Sequence, residues 1–125
     1  MELACSLLVV DDDEEFLEIL VRRFRRRGMA VEPATSAQAA IEAAQQHGFQ
    51  VAIIDRSLAG QDGVQLMVRL REQLPELRVI LLSGHSDAQA IAYARDRGAF
   101  EYLVKPSPLA DLEAAVARAH QTRGA

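Results

Sequence analysis

The stretch LLVVDDDEEF, residues 7–16, decides how the rest of the chain is read. Its first four residues form an unbroken apolar run, too short for a buried helix and without the alternation of a strand that has one wet face. It reads as a strand covered on both sides. Aspartates follow at 11–13, and then Glu14 and Glu15, which suit the positive end of a helix dipole. A strand that ends in acids and passes straight into a helix is the first half of a parallel crossover unit.

Outward from this stretch the alternation repeats. Apolar runs at 51–54, 79–82 and 100–104 read as further strands, and a weaker one at 30–32 suits a place nearer a sheet edge. The first helix, 14–27, sets Phe16, Leu17, Leu20, Val21 and Phe24 on adjoining rows, with its arginines mostly elsewhere and Gly28 as its left-handed stop. Thr35 and Gln38 have capping-box spacing for a second helix carried by Ala40, Ile41 and Ala44 and ended by Gly48. A third spans 64–74 before Pro75. Ser86 with Gln89 opens a fourth that reaches Gly98. Ser107 as cap and Pro108 as first helical residue start a fifth, where Leu109, Leu112 and Val116 recur at helical spacing.

Five strand-helix units in strict alternation predict a parallel sheet with helices on both faces, joined by right-handed crossovers. With 125 residues, half of them hydrophobic, one core is expected: a single domain 1–125, ordered over about 5–120, with 121–125 fraying. Cys5 is the one cysteine, which excludes an internal disulfide and a thiolate metal cluster and makes a reducing compartment the default. The balance of 14 basic and 18 acidic residues, −4 overall, argues against a surface devoted to nucleic acid. No apolar run approaches the roughly 18 residues needed to span a bilayer, and the first residues lack the basic start of a secretion signal. A cytoplasmic protein with no membrane partner is expected.

In a sheet of this kind, ligands bind outside the carboxyl ends of the strands. The residues there are Asp11, Asp12 and Asp13, then Asp55, then Ser83 and Gly84, then Lys105 and Pro106, all on one rim. Carboxylates, a hydroxyl and an ammonium from four strand ends suit a hard divalent cation, magnesium, held against phosphoryl oxygens. Asp12 and Asp55 each offer one oxygen, with Asp11 bound directly or through water. Crowded carboxylates raise one another's proton affinity until a cation opposes the effect. Lys105 brings fixed positive charge and Ser83 a hydrogen-bond donor for a phosphoryl group on Asp55, the candidate nucleophile. Spacing alone does not separate a nucleophile from a second metal ligand. A lone acid after a strand is ordinarily a turn or helix cap, and Asp13, Glu14 and Glu15 fit that role.

Taken in order, LLVVDDDEEF at 7–16, VAIIDRSLAGQDG at 51–63, VILLSG at 79–84 and GAFEYLVKP at 98–106 resemble the receiver domain of two-component response regulators over essentially residues 5–120. The resemblance implies a flavodoxin-like α/β fold, a doubly wound three-layer sandwich with five parallel strands in order 2-1-3-4-5. It further implies that Asp11 and Asp12 are the acidic pair, Asp55 the phosphoacceptor, Ser83 the switch hydroxyl and Lys105 the lysine of the site. Ser57 would give its backbone carbonyl to magnesium, and Tyr102 would turn inward as the domain switches. Ser57 and His85 fall where the family tunes phosphate lifetime; His47 and His120 have weaker claims. The implied partner is a histidine kinase or a histidine phosphotransfer protein, and the implied output is a change in the surface of helix four, strand five and helix five, with the effector unassigned.

Leu58 and Ala59 depart from the methionine and proline common in the family, while Gly60, Asp62 and Gly63 keep the loop's turn character. The departure leaves the rigidity of the loop open, because alanine allows backbone freedom that proline removes. Arginines 22–27 read as a charged helical face or a docking surface for the phosphodonor, and Asp87, Arg95, Asp96 and Arg97 form a mixed-charge face compatible with a phosphorylation-dependent homodimer. Two alternatives stay open at this point: a magnesium-dependent aspartyl-phosphate hydrolase, and a receiver-like interaction module that works without phosphate. Against the first, Ser57 stands where the large aspartyl-phosphatase family carries an acid, and no insertion supplies a cap domain.

Overall fold

The computed structural model describes residues 5–84 and 86–123. Strands β1 (Ser6–Val10), β2 (Ala30–Ala34), β3 (Val51–Asp55), β6 (Arg78–Ser83) and β7 (Glu101–Val104) form a five-stranded sheet in the order β2-β1-β3-β6-β7. All its pairings are parallel. Counting only these strands, the order is the expected 2-1-3-4-5. The helices are α1 (Glu14–Arg25), α2 (Ala37–Gln46), α3 (Gly63–Gln73), α4 (Ala88–Asp96) and α5 (Leu109–Arg123). A small antiparallel pair, β4 (Ser57–Leu58) with β5 (Gln61–Asp62), interrupts the loop after β3 and was not anticipated.

Continuous apolar strands are explained by a core on each face. Leu8, Val10, Ala52, Ile54, Val79 and Leu81 point into one cluster with α2 and α3. Their neighbours Leu7, Val9, Val51, Ile53, Ile80 and Leu82 point into the other with α1 and α5. Each fully buried Leu or Ile contributes about 1.5–3 kcal/mol relative to exposure, so a strand buried on both faces has no place for a polar residue until it leaves the sheet. Polar residues therefore collect at the carboxyl ends. Registers Val10↔Ile54, Asp55↔Leu82 and Ser83↔Val104 bring those ends level.

Several local boundaries differ from the sequence reading. The second helix is capped by Ser36, whose Oγ accepts from the Ala39 amide, and not by Thr35. The fourth is capped by Asp87, whose Oδ1 accepts from the Ala90 amide, and not by Ser86. In each case two adjacent residues can cap and the backbone selects the second. Ser107 does not cap α5: its hydroxyl donates back to the Val104 carbonyl. The Pro108 carbonyl accepts from the Leu112 amide, which puts Pro108 at the N-cap position, one residue before the first helical turn. The second strand extends through Pro33 to Ala34, tolerated because β2 lies at the sheet edge. Helix α5 continues to Arg123, past the boundary expected at 120; residues 124 and 125 lie outside the described residues. Among the described residues no helix is long and apolar enough to cross a membrane.

Candidate phosphoryl and metal site

Asp11 follows β1 and Asp55 ends β3, so both carboxylates emerge where neighbouring central strands stop. One oxygen from each of Asp11, Asp12 and Asp55 can be chosen so that all lie within 4.8 Å of one another. Asp11 and Asp55 are buried, and Asp12 is exposed. Lys105, just past β7, places its Nζ 2.9 Å from Asp55 Oδ2, donating a hydrogen bond, and 3.8 Å from Asp11 Oδ2. The sequence-predicted acids and lysine thus meet at one point.

Local backbone geometry orients each acid. Asp11 Oδ1 accepts from the Asp13 amide at 2.9 Å, and Asp55 Oδ1 accepts from the Ser57 amide at 3.1 Å. Asp11 Oδ2 is buried without a hydrogen-bond partner. Burial pushes the Asp11 carboxyl up to about 6; Asp55 and Asp12 push the same way, while the Asp13 amide and Lys105 oppose them. For Lys105, burial disfavours the ammonium, yet the hydrogen bond it donates to Asp55 and the charges of Asp55, Asp11 and Asp12 outweigh it and raise its proton affinity above the ordinary value. A cation among the three carboxylates would relieve their repulsion and give Asp11 Oδ2 the partner it lacks, so this donor set is able to coordinate a divalent metal.

Asp13 has the structural role its position suggested: its Oδ1 accepts from the Glu15 and Phe16 amides and caps α1. Ser83 is buried at the end of β6, and its carbonyl accepts from the Lys105 amide at 2.8 Å, which ties the hydroxyl-bearing residue to the lysine's backbone. Ser57 is exposed at the start of β4. Tyr102 is buried on the α2–α3 side of the core, and its hydroxyl accepts from Arg56 Nη1. His85 lies outside the described residues. His47 ends α2 and sits edge-on to Phe49, and His120 lies within α5. A cleft of about 450 Å³ opens beside Asp11, Phe16, Lys105 and Pro106.

The loop after β3 contains what the sequence did not reveal. Ala59 adopts φ 28° and Gly60 φ 84°, which turns the chain between β4 and β5. The Ala59 amide donates to Asp12 Oδ2 at 3.1 Å, so the loop is tied directly to the acidic pair. Proline could adopt neither that φ nor that bond. Here the departure from the family wording ties the loop to Asp12 by a route of its own. Gly63 passes so close to β3 that a Cβ there would collide with the Asp55 carbonyl oxygen and stand 2.7 Å from Arg56 Cα. Arginines 22–27 are also partly committed: Arg23 and Arg27 both bind Glu113 on α5, at 3.2 and 2.8 Å, and Arg25 donates to the Val31 carbonyl.

Comparison with known proteins agrees with this geometry. The model of the family described as "Response regulator receiver domain" matches residues 7–117. The photosynthetic apparatus regulatory protein RegA of Rhodobacter capsulatus is 36% identical over 107 residues, covering 86% of this chain and 58% of its own length. The chain therefore spans a little over half of that relative. A CheY-like receiver domain protein from Methanospirillum hungatei JF-1 superposes with a TM-score of 0.91 over 98% of both chains at 22% identity, a likeness of fold. A response regulator from Burkholderia pseudomallei, whose structure has a phosphorylated aspartic acid and a calcium ion, superposes with a TM-score of 0.84 at 30% identity, over 96% of this chain and 71% of its own.

Proposed function

Because the chain belongs to the response regulator receiver domain family, a phosphoacceptor family, we propose that Asp55 is its phosphoacceptor and that the phosphoryl group comes from a phosphohistidine on a histidine kinase or histidine phosphotransfer protein. One observation carries the assignment to Asp55. It alone among the three clustered acids has both carboxylate oxygens hydrogen-bonded, one to the Ser57 N–H and the other to Lys105 Nζ. Asp12 is instead tied to the loop, and Asp11 is oriented through the Asp13 amide with its second oxygen left for a cation.

In the transfer, a carboxylate oxygen of Asp55 forms a bond to phosphorus as the phosphorus–nitrogen bond breaks, and the imidazole leaves with that electron pair. Lys105 neutralises charge on the transferring group, and Ser83 donates its hydroxyl to the arrived phosphoryl oxygens. Asp11, Asp12, Asp55 and the Ser57 backbone carbonyl would hold magnesium, which supplies charge neutralisation for the phosphoryl oxygens when bound. Ser57 and His85 would tune how long the acyl phosphate survives. Attack by water at phosphorus breaks the bond to the Asp55 oxygen, releases inorganic phosphate and regenerates the carboxylate, so the domain assists its own phosphorylation and dephosphorylation without a separate metabolic substrate. The phosphoryl group then biases a two-state equilibrium in which Tyr102 and the α4–β7–α5 surface take a second arrangement, which a homodimer partner or an effector reads. Arg22 on α1 and Arg26 at its C-cap are exposed and would meet the phosphodonor. The described chain is one receiver unit with no direct part in nucleic-acid or membrane binding.

The test is intact-mass analysis of the chain incubated with magnesium and acetyl phosphate, beside Asp55→Asn. A base-labile adduct with the mass of one phosphoryl group, absent from the variant and from samples with EDTA, is the expected result. Wild-type protein that binds magnesium yet takes no adduct would support the phosphate-independent module instead, and an adduct that persists in the variant would move the acceptor elsewhere.

A further inference from the structure

Arg56 follows Asp55 directly, yet its side chain reaches α4 and β7. Its Nη1 donates to the Ala90 carbonyl in the first turn of α4 at 3.0 Å and to Tyr102 Oη at 3.1 Å. Its guanidinium carbon lies 5.6 Å from the Tyr93 ring centroid and 5.8 Å from that of Tyr102, within range of cation–π attraction. Arg97 stacks on the same Tyr93 ring at 3.5 Å, so α4 presents an aromatic ring between two arginines.

The anchoring is one-sided. The Arg56 backbone is fixed at both polar groups: its amide donates to the Leu82 carbonyl at 2.8 Å and its carbonyl accepts from the Gly63 amide at 2.7 Å. Helix α4, by contrast, fully buries only Ala94, with Ile91 half-buried against the same core. A helix with one small buried residue gains little from apolar packing, and its attachment depends on whatever else holds it. A charged hydrogen bond to its backbone and aromatic contacts to Arg56 are then a large share of that attachment. A groove of about 540 Å³ between the β4–β5 loop and α4, lined by Arg56, Asp62, Asp87 and Ala90, gives the guanidinium room to leave.

We propose that Arg56 is a positioning residue, a latch that holds α4 and Tyr102 in the unphosphorylated arrangement and sets how strongly a phosphoryl group on Asp55 must pull before the α4–β7 surface is released. The latch rests on Asp55 being the phosphoacceptor for its consequence in signalling, though not for its existence in the resting domain. Any arrangement that moves α4 away from β3 must break the bond to Ala90, and any that moves Tyr102 must break the bond to its hydroxyl. Removing the guanidinium removes both from the resting state alone and shifts the balance toward the released one.

The experiment compares wild type, Arg56→Ala, Arg56→Lys, Tyr102→Phe and the Arg56→Ala/Tyr102→Phe pair. Without ligand, amide exchange in residues 88–96 should quicken by roughly tenfold in Arg56→Ala, the scale of a charged hydrogen bond, while exchange in β1 and β3 stays unchanged. With magnesium and beryllofluoride, a phosphoryl mimic, half-saturation should fall by a similar factor. Arg56→Lys should lie between, since one ammonium cannot reproduce the flat guanidinium's bonds and ring contacts. Tyr102→Phe should have a smaller effect than Arg56→Ala, and the pair should show less than the sum of the two. Unchanged exchange in α4, exchange that quickens equally across the whole sheet, or unchanged half-saturation would overturn the latch. Wild type that takes up no beryllofluoride would refute the phosphoacceptor reading, and the exchange measurements would still decide the latch.

Discussion

Replacing Asp11 by asparagine should make the metal-free protein more stable at neutral pH. The carboxyl is held up to about 6 against an ordinary 3.8, first by burial and then by its like-charged neighbours. For an acid whose folded value lies above its unfolded one, the folded state holds the proton more tightly, so stability falls as pH rises from 3.8 toward 6 and is level above. A difference of this size corresponds to about 3 kcal/mol of destabilisation at pH 7.5, shrinking to about 1 kcal/mol near pH 4.5. Asparagine carries no charge and keeps the Oδ1 acceptor for the Asp13 amide, so it escapes the cost without losing the turn. Urea unfolding in EDTA, with both proteins measured across this pH range, reads the group together with its coupling to Asp55 and Lys105. Saturating magnesium should narrow the gap: wild type gains about 2.7 kcal/mol at one hundred times its Kd, and the variant, missing a ligand, gains less. A variant that is equally or less stable in EDTA at pH 7.5, or an advantage that does not change with pH, would refute the account of a carboxylate held at a cost for a cation.

Three further substitutions probe how the site is supported. Ala59→Pro, which moves the loop toward the family's usual wording, should destabilise this protein by more than about 1 kcal/mol and weaken magnesium binding, because φ 28° and the bond to Asp12 are both closed to proline; calorimetric titration with magnesium and thermal unfolding check it, and a stabilised variant would contradict the loop geometry. Gly63→Ala should cost about 1–3 kcal/mol by driving a methyl into the Asp55 carbonyl, read as a lower urea midpoint. Glu113→Gln should cost about 1 kcal/mol, the scale of a surface ion pair. The bond from Arg23 first, and then that from Arg27, lower the Glu113 carboxyl's value despite its burial. Its contribution is therefore present above the ordinary 4.5 and lost as pH falls through the folded value, so wild type and variant should converge in acid.

What was legible in the sequence was what depends on burial along a strand. Val51, Ala52, Ile53 and Ile54 could be read as a central strand because both faces are covered, and Asp55 could be read as a site because nothing in such a strand tolerates a charge before its end. The acidic pair and Lys105 became legible by the same reasoning, once the strand ends were known to share one rim. Capping residues were misplaced by one at Ser36 and Asp87, since Thr35 and Ser86 have similar chemistry and the choice rests on backbone angles. The turn at Ala59 was hidden for a different reason: alanine carries no preference for positive φ, and only the waiting Asp12 carboxylate makes the conformation worthwhile. Arg56 was hidden by reach, as its partners stand 34 and 46 residues away and no local pattern marks a side chain that long. The division has a physical origin in the molecule's task. Residues that hold charge at the rim are fixed by the sheet and so appear in the sequence pattern, whereas Ala59 on the loop after β3 and Ala90 on α4 are tied by long-range polar contacts, to Asp12 and Arg56. A switch needs its movable parts attached by bonds that one phosphoryl group can outweigh, and such bonds are the ones that periodicity does not encode.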